Sequence, residues 1–313
     1  MRAFVFPGQG SQVVGMGQDF YEHFKIAKDT FDEVDSVLAP LLHQKLSTII
    51  FEGPADTLTQ TLYTQPALMT VSIAIYRTLE YTLNVDLTAK AAFMAGHSLG
   101  EYSALCAAGV ISLADTAQLL YYRGKAMTEC AAIDSSEEGS PMAAIIGLEM
   151  DVLEDLTSKA GCFIANDNGG GQVVVSGAKT AITTIIDLAT KAGAKRALPL
   201  NVSAPFHCPL MQPAADIMAE KIAETSFYPA KTPVITNVSA AAQSDPNLFK
   251  RHLVEQVCGR VRWRESVLFM ASQGVTDMVE MGSGKVLAGL CKRIAPDINA
   301  SAINSIEDIK NFI

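Results

Sequence analysis

The chain has 313 residues, 49% of them hydrophobic and 18% charged, and a formal net charge of −9. That is enough apolar material for one large core or two unequal ones, and the acidic balance excludes a general nucleic-acid binder. The opening apolar run stops at Pro7-Gly8, too soon for a signal peptide. Stretches such as ALMTVSIAIY are interrupted well before the roughly 20 residues that span a bilayer, so a soluble cytoplasmic protein without membrane association is expected.

Strand and helix signals alternate along the chain, which predicts an α/β fold with a largely parallel sheet. Ala3 to Phe6 is a short apolar strand that ends in the turn PGQGSQ. Pro66 is expected to open a helix with Leu68, Val71, Ile75 and Leu79 on its apolar face. Ala91 to Ala95 reads as a strand, and Glu101 to Ala108 as a helix stopped by Gly109. Ser112 and Asp115 form a capping pair for a helix running to about Ala131. The polar stretch 133–141 is a candidate boundary. Beyond it the order is strand (143–148), helix (151–160, with Asp151 and Glu154 at capping spacing), strands (162–166 and 172–176) around the loop DNGGG, helix (180–192) and strand (195–200). This β-α-β-β-α-β order is that of a ferredoxin-like unit, so residues 132–202 are expected as a small subdomain inserted between 1–131 and 203–313. Strands near 233–238 and 276–281, with helices near 209–225, 246–257, 264–273 and 285–294, complete the larger part.

Gly96-x-Ser98-x-Gly100 lies between a strand-like and a helix-like run. A sharp strand-to-helix turn there would expose the serine oxygen beside N–H groups able to stabilise an oxyanion. The alternative is an ordinary serine between two packing glycines. Of the five histidines, His23 and His43 lie in polar stretches, His97 adjoins the serine, and His252 is expected on a helix surface. His207 stands between a strand and a helix, where α/β sites collect residues, and can be a base or a structural histidine. Asp245 and Asp277 are the acids whose order in the chain would suit a third member, but neither has a distinctive context. A backbone carbonyl or an amide could orient the base instead. Arg123, among apolar neighbours in LLYYRGKAM, needs a partner. It either pairs internally or holds a substrate carboxylate. The six cysteines form neither C-x-x-C pairs nor a metal-ligand pattern with the histidines, so reduced, mostly buried thiols and no metal site are expected.

Taken in order, FPGQGSQ, GHSLGEYSAL, YYRGKAM, AN-x-N followed by GQVVVSG, SAPFH and MGSGKVL are similar to the motifs of the malonyl-CoA:acyl carrier protein transacylases of bacterial type II fatty-acid synthesis, nearly from end to end. The resemblance implies an α/β-hydrolase-like large subdomain with a ferredoxin-like insertion. It implies Ser98 as the nucleophile that carries malonyl, His207 as base and then acid, and Arg123 as the group holding the malonyl carboxylate. The backbone N–H groups of Gln9 and Leu99 would form the oxyanion hole, and the main-chain carbonyl of Gln256 would orient the histidine. Asn166, Phe206 and His97 would line the pocket. In the related polyketide acyltransferase domains Phe before the histidine accompanies malonyl, whereas Ser there accompanies methylmalonyl. Pro205 departs from that pattern, which usually has a small residue.

The substrates implied are malonyl-CoA and a transient, acidic, phosphopantetheinylated acyl carrier protein, with no bound cofactor and a monomeric enzyme. Lys250, Arg251, Arg260, Arg262 and Arg264, with Lys285 and Arg293 as further candidates, are either a docking face for that carrier or a solvated surface. A serine esterase or thioesterase on the same scaffold, a stand-alone polyketide-type acyltransferase and a non-catalytic carrier-binding module are the competing readings. A carboxylate-holding arginine favours transfer of a charged acyl group, because an esterase pocket would leave that cation buried and unpaired.

Overall fold

The computed structural model describes residues 1–132, 139–202 and 204–312. Most of the polar stretch offered as a boundary (133–138) and Ser203 of the SAPFH motif lie outside the described residues. Within them the strands, in chain order, are β1 (Arg2–Phe6), β2 (Phe93–Gly96), β3 (Met142–Ile146), β4 (Phe163–Asp167), β5 (Gln172–Ser176), β6 (Arg196–Pro199), β7 (Val234–Ile235), β8 (Ala242–Gln243), β9 (Asp277–Met281) and β10 (Asn299–Ile303).

Six of them form one sheet in the order β10-β9-β1-β2-β7-β8, parallel except for β8, which runs antiparallel to β7. The central strand β1 shows why RAFVF is apolar on both sides. Phe4 and Phe6 point into the larger core with Met94, Val279 and Met281, while Ala3 and Val5 point into the opposite one with Ala95, Ile235 and Met278. Each buried phenylalanine contributes roughly 2–3 kcal/mol by leaving water.

The other four strands form a fully antiparallel sheet in the order β4-β5-β3-β6. This is the ferredoxin-like arrangement expected from the element order. One face, with Ala143, Ile145, Val173 and Val175, packs on the helices Met150–Ala160 and Lys179–Lys191. The alternating residues Met142 and Val174 face the other way, toward Leu200, Val202 and Phe206. The small sheet therefore keeps one face for its own core and gives the other to the site. It is tied to the large part at Val261, whose N–H donates to the Ala165 carbonyl (2.8 Å) and whose carbonyl accepts from Asp167 N–H (2.9 Å).

Several sequence expectations are corrected. The helix assigned to start at Pro66 runs Thr61–Leu83 with Pro66 inside it, and it is buried on nearly all sides. A proline past the first turn removes one intrahelical hydrogen bond, a cost that the burial of this helix outweighs. Here Thr64 Oγ1 donates to the Leu58 carbonyl and Thr70 Oγ1 to the Pro66 carbonyl. Asp151 and Glu154 do not cap their helix. The N-cap is Glu149, without a side-chain cap bond, and Glu154 pairs with Arg260 (2.9 Å). His252 is buried, its Nδ1 at 2.9 Å from Thr236 Oγ1. Helices over Gln18–His23, Lys25–Leu42, Leu46–Glu52 and Ala55–Thr59, and the edge strands β8 and β10, were not anticipated. The glycines of DNGGG now have a cause. Gly169, Gly170 and Gly171 all have left-handed φ (73°, 60° and 72°), and a side chain at Gly169 would strike Ile294 while one at Gly170 would crowd Arg293.

Candidate active site

The site lies where the C-terminal ends of β1, β2 and β7 meet the inner face of the small sheet, the usual place for chemistry in an open α/β sheet. Ser98 follows β2 and precedes the helix Gly100–Ala107, with φ at 54°. A non-glycine residue holds that conformation only when its surroundings enforce it. Here the surroundings are backbone. A methyl group on Gly96 would overlap the Gly100 carbonyl, and one on Gly100 would overlap the Phe6 carbonyl. Both glycines permit a turn too tight for any side chain, and the turn lifts the serine oxygen clear.

His207 sits in the loop between β6 and the short 3-10 helix Pro209–Met211, also at positive φ (59°) and buried. Its Nε2 lies 2.8 Å from Ser98 Oγ and its Nδ1 2.9 Å from the backbone carbonyl of Gln256. Gln256 is in the last turn of the helix Pro246–Cys258. Last-turn carbonyls lack an intrahelical partner and carry the negative end of the helix dipole, so this one serves where a carboxylate would otherwise be needed. A carbonyl only accepts, so Nδ1 carries the proton and Nε2 presents its lone pair to the serine hydroxyl. Asp245 caps the Pro246–Cys258 helix by accepting from Asn247 N–H (2.8 Å), and Asp277 contacts Thr276 and Asn299. Neither touches His207.

Arg123, from the helix Leu113–Ala132, is 1% exposed. Its Nη1 donates to Gln65 Oε1 (2.7 Å). Its Nη2 donates to Gln256 Oε1 (3.0 Å) and to Ser98 Oγ (3.2 Å), while Nε has no partner. Among the described residues no carboxylate pairs with it directly. A buried guanidinium held only by amides and a hydroxyl suits an incoming anion.

Gln9, Leu99, Asn166, Phe206 and His97 all line the same cavity of about 280 Å³, together with Ser98, His207 and Arg123. The backbone N–H groups of Gln9 and Leu99 have no acceptor among the described residues. His97 Nε2 is 2.8 Å from Asn168 Oδ1 and 3.5 Å from Asn166 Nδ2. A larger hollow of about 850 Å³ lies toward the N-terminal ends of β2 and β7, near Asp86 and Lys231, and none of the predicted site residues borders it.

A model of the acyl transferase domain family matches residues 3–293. The malonyl CoA-acyl carrier protein transacylase of Bacillus subtilis is 42% identical, over 98% of this chain and 95% of its own. The crystal structure of an acyl-carrier-protein-S-malonyltransferase from Bartonella henselae superposes with a TM-score of 0.93 at 48% identity, covering 99% of this chain and 98% of that one. The chain belongs to the malonyl-CoA:acyl carrier protein transacylases. A further solved structure, a holo type II polyketide acyl carrier protein in complex with its malonyl-transacylase, matches at a TM-score of 0.90 and 39% identity, over 99% of this chain and 98% of that one.

The electrostatics suit such a transacylase. Burial, followed by the neighbouring Arg123 charge, pushes the His207 imidazole down to about 3. It is therefore in the neutral form, with Nε2 unprotonated, across the neutral range. Burial also lowers His97. The resemblance did not single out three polar residues. Gln65 fixes Arg123. Asn237 accepts from Ser98 N–H (2.7 Å) and donates to the Gly96 carbonyl (2.7 Å). Glu101 is fully buried and accepts from Asn237 N–H and Gln256 Nε2, both at 2.8 Å. A carboxylate directly after the elbow glycine, opening an otherwise apolar helix, was the available signal for Glu101.

The basic cluster is largely neutralised from within. Arg251 pairs with Glu255, Arg260 with Glu154, Arg262 with Glu265 and Arg264 with Asp167, while Lys250 donates to the Thr225 carbonyl. Among the described residues no helix is long and apolar enough to cross a membrane.

Proposed function

We propose that the chain transfers a malonyl group from malonyl-CoA to the phosphopantetheine thiol of acyl carrier protein, by way of a malonyl ester on Ser98. The observation that carries this reading is the double contact of one serine oxygen, with His207 Nε2 on one side and Arg123 Nη2 on the other. His207 takes the hydroxyl proton as Ser98 attacks the thioester carbon. The oxyanion forms against the N–H groups of Gln9 and Leu99, and collapse expels coenzyme A as a thiol protonated by His207. The carrier thiol then reverses these steps. A malonyl carboxylate two carbons from the acyl carbon falls back onto Arg123, whereas an acetyl group would leave that cation without its anion. Phe206 narrows the pocket beside His207, which favours malonyl over its α-methyl homologue.

The division at 132 and 202 is part of the same proposal, with the small subdomain supplying one wall of the cavity. Lys285 and Arg293 are exposed on the segment whose Val286, Leu287 and Leu290 line the cavity, which supports reading them as cations that meet an acidic carrier. The reaction requires no resident cofactor. The chain is read as a monomer working in the cytoplasm.

Radiolabelled malonyl-CoA tests the reading. The label should accumulate on the protein and be discharged by holo acyl carrier protein, and Ser98→Ala should take up none. Arg123→Ala should lose most of the preference for malonyl over acetyl, on the order of 10²-fold or more. Release of malonate without any labelled protein would instead identify an esterase, and an unchanged preference in Arg123→Ala would remove its assigned role.

A further inference from the structure

Glu101 is a carboxylate placed inside the site without touching the serine, the histidine or the arginine. Its Oε2 accepts from Asn237 N–H and from Gln256 Nε2, while its Oε1 is buried with no partner. The Gln256 amide nitrogen is surrounded by acceptors, since it also donates to the Ser98 carbonyl at 3.1 Å. With its NH₂ so engaged the amide cannot turn over, and its oxygen is presented to Arg123 Nη2. Asn237, held through its backbone by the same carboxylate, accepts from the N–H of Ser98. One buried carboxylate thus orients the supports of both the proposed nucleophile and the guanidinium.

We propose that Glu101 is a positioning residue for malonyl capture, and that its free Oε1 takes up a proton when the acyl carboxylate reaches Arg123. This rests on the malonyl-Ser98 reading. In the empty site Glu101 offsets the Arg123 charge across one amide. The substrate carboxylate brings a second anion to the same cation in a buried space, and two carboxylates there raise each other's proton affinity. The substrate group contacts the guanidinium directly, so Glu101 is the one that yields. Protonation at Oε1 leaves both hydrogen bonds to Oε2 intact, and the amides keep their orientation.

The surrounding groups leave this role to Glu101. Burial raises its carboxyl to about 7, against the pull of the Asn237 and Gln256 donors and Arg123. Tyr102, whose ring lies 5.7 Å from the guanidinium, is pushed up to about 12 by burial. His207 is held neutral, burial lowers His97, and Arg123 keeps its charge. The chemistry itself is proton-neutral, because a serine O–H is exchanged for a thiol S–H whose ordinary pKa, near 8.5, lies above neutrality.

The test is malonylation of the whole enzyme by malonyl-CoA near pH 7, followed calorimetrically in phosphate and in Tris, whose ionisation heats differ. Mass spectrometry counts the ester formed in the same samples. Wild type should take up about half a proton per ester, and its KM for malonyl-CoA should rise several-fold between about pH 6 and 8. Glu101→Gln, which keeps the shape without the charge, should form the ester with no proton uptake and a flat KM. Glu101→Ala frees the Gln256 amide and should lower kcat/KM about tenfold or more at every pH. A purely structural role would not move the proton count. Ester formation in wild type without buffer-dependent heat overturns the proposal, even if Glu101→Gln fails to fold. So does uptake in Glu101→Gln equal to wild type. Absence of any ester in wild type removes the functional reading and this proposal with it.

Discussion

An imidazole held near 3 changes what pH should do to this protein. A solvated histidine of ordinary pKa loses its ability to accept a proton as pH falls through about 6.5. His207 is buried beside a permanent cation, and its charged form is disfavoured by both. Its neutral form, the one that can act as base, is present above the folded pKa and is therefore retained well below 6.5. The kcat/KM for malonyl transfer, measured per folded enzyme, should show no acid limb between about pH 7 and 5. An inflection near 6.5 traced to His207 would contradict the burial argument. Ser98, His207 and Arg123 stood out in the sequence because each is a chemical anomaly among its neighbours. Gln65, Asn237 and Glu101 did not, because an amide or a carboxylate on a helix or in a turn has no visible task until its partners are in place.

At the scale of the element, the elbow is a backbone device and the serine is its passenger. Gly100 closes onto the carbonyls of Phe6 and Pro7, so β1 and the Gly100–Ala107 helix approach more closely than a Cβ allows. Gly100→Ala should destabilise the protein by roughly 3 kcal/mol or more, because the obstacle is main chain and cannot swing aside. A thermal melt compared with wild type checks this, and malonyl labelling of any folded fraction should fall with it. The same contrast explains which elements were legible. β1 and β2 are largely apolar runs bounded by turn signals, and β9 carries Met278, Val279 and Met281 before a Gly-Ser-Gly turn. β7 is legible within the apolar run 233–238, though only Val234–Ile235 pair, whereas β8 is two residues, too short to carry a period, and is a strand only because β7 supplies its hydrogen bonds. Pro66 misled because a proline reads as a boundary, whereas here the buried surroundings carry the helix through it.

For the whole molecule, the decisive feature is the way the small sheet is fastened to the large one. The backbone pairing at Val261 is reinforced by Asp167, which is 1% exposed, accepts from Arg264 Nε at 2.8 Å and accepts weakly from Gly169 N–H at 3.3 Å. The next residue, Asn168, holds His97. Asp167→Ala should cost about 2 kcal/mol, less than a fully buried pair would, because Arg264 is part-exposed and can turn to solvent. Urea denaturation measures that cost. Malonyl transfer should fall several-fold as the loop that carries Asn168 loosens, and full activity with full stability would show the fastening to be redundant. The dense basic stretch at 250–264 belongs to this scale as well. By composition it is a cationic patch, but in the fold its arginines each meet a carboxylate, two of them (Glu154 and Asp167) from the small subdomain.

Features set by near neighbours are legible in the amino-acid order. A five-residue glycine-serine-glycine turn, a capping pair at Ser112 and Asp115, and the β-α-β-β-α-β order are written in neighbouring residues, because backbone φ and hydrophobic period depend on only a few positions. The ordered motifs also made the family legible. Tertiary structure alone decided how charge is managed. Ser98 meets Arg123 across 25 residues, His207 across 109 and the Asn237 amide across 139, while Arg123 meets Gln256 across 133. Electrostatic stabilisation in a buried site depends on distance in space and on the exclusion of water. Neither is a property of the chain until it has folded.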